Sequence, residues 1–131
     1  MEGSADRQSE SRGLSVAEHD LLRWLLTRGA EITGADTARA TAFLPQLGFL
    51  RVVGRCSCGC PTIDLSLEEL SLAVAADTET IADVEGRSPE GTQIGIILRA
   101  VGGRITELEA FPRDGRVPFS LPTAEQLVGF F

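Results

Sequence analysis

A chain of 131 residues, 43% hydrophobic and 24% charged, is one domain by length and can bury a core without disulfides or metal. Its formal net charge of −7, with the arginines scattered, excludes a duplex-binding stripe and disfavours an anionic membrane surface. No apolar run approaches the roughly 18 residues of a membrane span, and Met1–Gly13 has no apolar segment of the kind a signal peptide needs, so the expected compartment is the cytoplasm.

Met1–Gly13 is serine, glycine and charge, which predicts a disordered leader ahead of a single domain over 14–131. Ser15-Val16-Ala17-Glu18 reads as a capping box, and Leu14 could staple onto the turn that follows. Leu21, Leu22, Leu25 and Leu26 recur at helical spacing beside Trp24. Arg28 suits the last turn, and Gly29 predicts the stop. A second helix is expected from about Ala35 to about Gln46, with Pro45 removing a backbone bond near its end and Gly48 closing it.

Phe49–Cys56 and Pro61–Leu67 read as two strands of a hairpin around Ser57–Cys60. Pairing Leu50 with Leu67, Val52 with Leu65, Gly54 with Ile63 and Cys56 with Pro61 makes one face apolar. The other face then pairs Arg51 with Ser66, Val53 with Asp64 and Arg55 with Thr62. Glu68–Ala76 fits a short helix or a loop. Turn signals at Ser88–Gly91, Gly102-Gly103 and Asp114-Gly115 then delimit strands near 78–86, 92–101, 105–112 and 116–119, of which 92–101 looks central. A three-residue loop over Gly102–Arg104, with a left-handed glycine and a bulge, pairs Leu98 with Leu108, Ile96 with Ala110 and Arg99 with Glu107. A helical turn is expected from Ala124 to Phe131. The fold class that follows is α+β: two N-terminal helices packed on an antiparallel β-sheet of hairpins.

The chemistry-bearing residues are few. Cys56, Cys58 and Cys60 are the chain's three cysteines. Thiolates are soft ligands and nucleophiles, so the cluster raises a zinc site, with His19 as the fourth ligand, or a redox pair at Cys58 and Cys60. The odd count and tight spacing do not suit a secreted disulfide framework. The hairpin register sends Cys56 toward the core and leaves Cys58 and Cys60 in the turn. That favours tight-turn packing, with Gly59 supplying freedom and Pro61 stiffening the exit, over metal or redox chemistry. His19, between Glu18 and Asp20, reads as an exposed helix residue rather than a catalytic base. Glu107 and Glu109 share one side of a strand. They could act as a carboxylate pair, but the alternating Leu108 and Ala110 favour a solvated sheet face, with Arg99 as cross-strand partner of Glu107. No phosphate loop, nucleophile elbow or dinucleotide fingerprint occurs, so no catalytic residue and no cofactor is expected.

Phe49 through Leu67 with its Cys-Ser-Cys-Gly-Cys-Pro core, the Gly-Gly hairpin into Ile105–Phe111 and the Leu-Pro near the end resemble a family of small bacterial proteins sharing a Cys-x-Cys-Gly-Cys-Pro segment. The resemblance spans about residues 15 to 125. It implies an α+β fold and brings no biochemical activity with it. In size and acidity the chain is also similar to immunity proteins that neutralise bacterial toxins. Lysine, asparagine and tyrosine are absent and all 12 basic residues are arginine, a pattern of high-GC coding rather than of function. The functional expectation is a non-enzymatic protein-interaction module that uses a sheet face or a strand edge, with a zinc or thiol-redox site at the cysteines as the alternative. A polar leader and the apolar ending Phe130-Phe131 admit a monomer or a homodimer.

Overall fold

The structure, a computed structural model, describes residues 7–56, 60–67, 78–113, 115 and 119–130. It is α+β, with six strands each antiparallel to its neighbours. These are β1 Arg7–Gly13, β2 Leu50–Cys56, β3 Ile63–Leu67, β4 Thr78–Arg87, β5 Gln93–Val101 and β6 Arg104–Pro112, in the spatial order β1-β2-β3-β6-β5-β4. The helical elements are α1 Val16–Trp24, a π turn Leu25–Gly29, α2 Ala30–Thr33, α3 Thr37–Thr41, a 3₁₀ turn Leu44–Gly48 and α4 Ala124–Phe130. Buried Leu21, Leu22, Leu25 and Leu26 join Val52, Ile94, Ile96, Leu98 and Leu108 in one core cluster. Full burial of each such side chain contributes about 1.5–3 kcal/mol. The expectations for Met1–Asp6, the turn at Ser57–Gly59, Glu68–Ala76, Asp114, the strand at 116–118 and Phe131 lie outside the described residues.

The capping box forms as expected: Ser15 Oγ accepts the Glu18 N–H at 3.1 Å, and Glu18 accepts the Ser15 N–H at 2.8 Å. The helix does not stop at Gly29. It continues through the π turn to Thr33 and ends on Gly34, whose φ of 84° is the left-handed cap. Gly29 instead sits in a packed place, where a Cβ would come 3.2 Å from Leu25 and 3.3 Å from Trp24. It therefore serves close packing rather than termination. The expected helix over Ala35–Gln46 is broken in two. Asp36 caps α3 by accepting the Arg39 N–H, and the chain then tightens into the 3₁₀ turn. The cause is Pro45, which disfavours an α conformation at Leu44 and has no N–H to give Thr41.

Two further expectations need correction. Arg7–Gly13 is not a disordered leader but the strand β1, registered on β2 from Arg7 opposite Cys56 to Gly13 opposite Arg51. Its polar composition hides this because main-chain ladder bonds hold it, together with an ion pair in which Arg12 donates twice to Glu18 at 2.8 Å. In β2–β3 the pairs Leu50–Leu67, Arg51–Ser66 and Val52–Leu65 form as read, and the register then shifts between Val52 and Gly54. Gly54 faces Asp64 and Arg55 faces Ile63, so the expected pairs Gly54–Ile63, Val53–Asp64, Arg55–Thr62 and Cys56–Pro61 are each displaced. One extra residue, the exposed Val53, is the physical cause. In β5–β6 the pairs Ile96–Ala110, Leu98–Leu108 and Arg99–Glu107 are as read. The loop that sets them has two residues, not three: Gly102 and Gly103 take φ of 60° and 79°. The bulge falls in the ladder at Thr106, between Arg99–Glu107 and Ala100–Ile105.

Candidate functional site

An open groove of about 550 Å³ brings together residues far apart in sequence. Arg12 and Glu18, Arg55 and Cys56, Cys60 and Ser120 all line it. Its framework is Thr62, which is only 3% exposed. The Thr62 hydroxyl donates to the Ala110 carbonyl and accepts the Ala110 N–H, both at 3.0 Å, so a side chain completes the contact of this segment with β6. The Cys56 N–H donates to the Thr62 carbonyl at 3.1 Å, and the Cys60 thiol lies 3.6 Å from Thr62 Oγ1. Both cysteines therefore lie against one buried residue. Cys56 is half-buried at the end of β2 and lines the groove, whereas it is Cys60 that packs against the core. The bulge at Val53 decides this, because it shifts every pair beyond it.

Two carboxylates hold the surroundings. Arg12 lies against Glu18 and, with the Ser15 N–H, keeps its carboxyl below the usual range despite partial burial. Glu90, in the turn between β4 and β5, accepts the Ser120 N–H at 3.0 Å and the Ser120 hydroxyl at 2.7 Å. Those two bonds, with help from Ser88, bring the Glu90 carboxyl down to about 2. They also anchor the stretch Phe119–Leu121 that forms part of the groove.

The other predicted residues lie elsewhere. His19 lines a second groove of about 400 Å³ with Arg23, Thr27, Leu44 and Leu47, and its Nδ1 is 4.0 Å from Asp20. It and the cysteines thus face different grooves. Cys58 lies outside the described residues, and among the described residues no group of three or more His, Cys, Asp or Glu side chains could hold a metal ion. Glu107 and Glu109 do come together. One guanidinium nitrogen of Arg99 donates to both, at 3.0 Å to Glu107, and the two carboxylates raise the Arg99 pKa further. Neither groove is lined by them. Sequence reading found the Arg99–Glu107 pair but missed Glu109 as the second partner. It also missed Thr62 and Glu90, whose partners lie 48 and 30 residues away.

No protein family, curated protein or solved structure matches the chain. Among the described residues no helix is long and apolar enough to cross a membrane.

Proposed function

We propose that this chain is a non-enzymatic interaction module, its helices laid on one face of the sheet, that binds an extended segment of a partner protein along the outer edge of β1. The asymmetry of the two sheet edges carries the reading. At the β4 edge Thr33 Oγ1 accepts the Asp83 N–H at 2.8 Å and donates to Gly29 at 2.7 Å, which closes an outward-pointing main-chain donor. Arg39 pairs with Glu79 at 2.9 Å, and Leu127 fills the space a side chain on Gly86 would take. β1 ends the sheet on the opposite side and pairs with β2 alone in the described ladder. An edge of this kind offers alternating donors and acceptors to an added strand, and side chains set the specificity. The register shift between Ser9 and Arg12 and the charge of Arg12 discourage indiscriminate pairing. The net charge of −7 favours a basic segment. The similarity in size and acidity to toxin-neutralising immunity proteins agrees with such a role, which we place in the cytoplasm.

The test is selection from a random-peptide display library, followed by amide exchange on the protein with the synthetic binder. The expected result is an arginine- or lysine-rich binder that protects alternate amides of β1. Adjacent prolines at Gln8 and Ser9 point their missing N–H groups to opposite sides, so one of them weakens binding about tenfold or more while circular dichroism stays native. Protection confined to another surface, or equal binding by both variants, overturns the reading.

A further inference from the structure

The groove lined by His19 has a donor set that strand addition at β1 does not use. We infer that it binds a small carboxylic acid with an apolar ring or short chain, held by Arg23 and His19 and seated against the 3₁₀ turn. The charge distribution points to an anion. The chain has 19 acidic residues against 12 basic ones, yet among the described residues Arg23 and His19 line this groove and no carboxylate does. Arg28, Arg39, Arg99 and Arg113 each pair with a carboxylate. Arg23 is exposed, and its guanidinium has no polar partner among the described residues. Thr27 Oγ1 already donates to the Arg23 carbonyl at 2.9 Å. The side-chain groups left to meet a ligand are the imidazole and the guanidinium, and a guanidinium only donates. Asp20, 4.0 Å from His19 Nδ1, is exposed and outside the lining.

The opposite wall is apolar and is made by Leu44, Pro45 and Leu47. Pro45 sits inside the 3₁₀ turn, and Gln46 ties that turn to the β5–β6 hairpin through Gly103 and Ile105. The facing wall belongs to α1, which is fixed from beneath by buried Leu21, Leu22 and Trp24. Both walls are therefore set before a ligand arrives. The volume of about 400 Å³ falls within the roughly 300–1,000 Å³ of small-molecule sites. A guanidinium fork matches the two oxygens of a carboxylate. A phosphate dianion calls for more donors than two side chains give, and the net charge of −7 opposes a second negative charge. One carboxylate on an apolar body uses both walls at once.

The test is titration of the isotope-labelled full chain with phenylacetate, followed by amide chemical shifts. Expected are saturable shifts at His19, Arg23, Thr27, Leu47 and Gly48, with a Kd of about 1 mM or tighter. Acetate lacks the apolar body and phenylacetamide lacks the charge, so each should bind at least about tenfold more weakly. Arg23→Gln should weaken phenylacetate to the level of the amide and leave amide binding unchanged, a cycle that isolates the carboxylate–arginine contact. Arg23 is exposed, and unchanged shifts across the sheet would establish that the variant folds. No saturable shift up to about 20 mM, shifts centred on another surface, equal binding of acid and amide, or full affinity in Arg23→Gln overturns the assignment. None of these outcomes bears on peptide binding at β1, so the two proposals fail separately.

Discussion

Glu90 is fully exposed, and yet its carboxyl is held at about 2, because two hydrogen bonds from Ser120 need the ionised form. A carboxylate lowered in the folded state adds stability that is complete above its ordinary value of 4.5 and is lost as pH falls through about 2. The stability difference between wild type and Glu90→Gln should therefore be constant at neutral pH and shrink between 4.5 and about 2, measured by urea unfolding at a series of pH values. A difference that does not change over that range would show that the Ser120 contact is not formed in solution. Gly95 illustrates a second residue-level constraint. It is buried in β5 under the Phe111 ring, which leaves no room for a Cβ. The Arg113 guanidinium lies 5.0 Å from the centre of the same ring. A period-two reading marks position 95 only as a weak strand residue, because the ring that fills it comes from a neighbouring strand.

At the level of elements, register came through where apolar alternation specified it and failed where a bulge intervened. Leu50–Leu67 and Leu98–Leu108 were legible because a one-residue slip would expose the whole apolar face. Val53 and Thr106 were not, since an extra residue leaves hydrophobic composition unchanged. The β5–β6 turn also has an external brace. The Gln46 side chain donates to the Gly103 carbonyl at 2.7 Å and accepts the Ile105 N–H at 3.0 Å, so one amide ties the 3₁₀ turn to the hairpin. Gln46→Ala should destabilise the fold by about 1–3 kcal/mol, the cost of leaving partly buried main-chain groups unsatisfied. Gln46→Glu keeps the acceptor and loses the donor, and should fall between the two. Denaturant midpoints with unchanged slopes would check both. A cost near zero for Gln46→Ala would mean that water replaces the amide.

At the level of the whole molecule, among the described residues, side chains close the β4 edge of the sheet and β1 pairs with β2 alone. Thr33→Val removes the acceptor for the Asp83 N–H while preserving shape. The variant should self-associate in a concentration-dependent way, through a newly available β4 edge, in sedimentation velocity runs where the wild type does not change. Unchanged sedimentation would show that Leu127 and the Arg39–Glu79 pair cover that edge without the threonine. The candidate groove is also a whole-molecule feature. Arg12, Cys56, Cys60 and Ser120 meet only because β1 folds back on β2 and Glu90 anchors the segment around Ser120.

Local and periodic signals in the sequence determined the capping box at Ser15, the leucine core of the first helix, the α+β class and most of the strands. Each depends on neighbours within a turn or on alternation along one strand, which a linear chain displays. Tertiary structure alone decided that Arg7–Gly13 is a strand, that the helix passes Gly29, and that Cys56 and Cys60 share a groove with Arg55. Those outcomes rest on main-chain pairing between distant segments, on space taken by a packed side chain and on single-residue bulges. None of the three leaves a mark in composition or period.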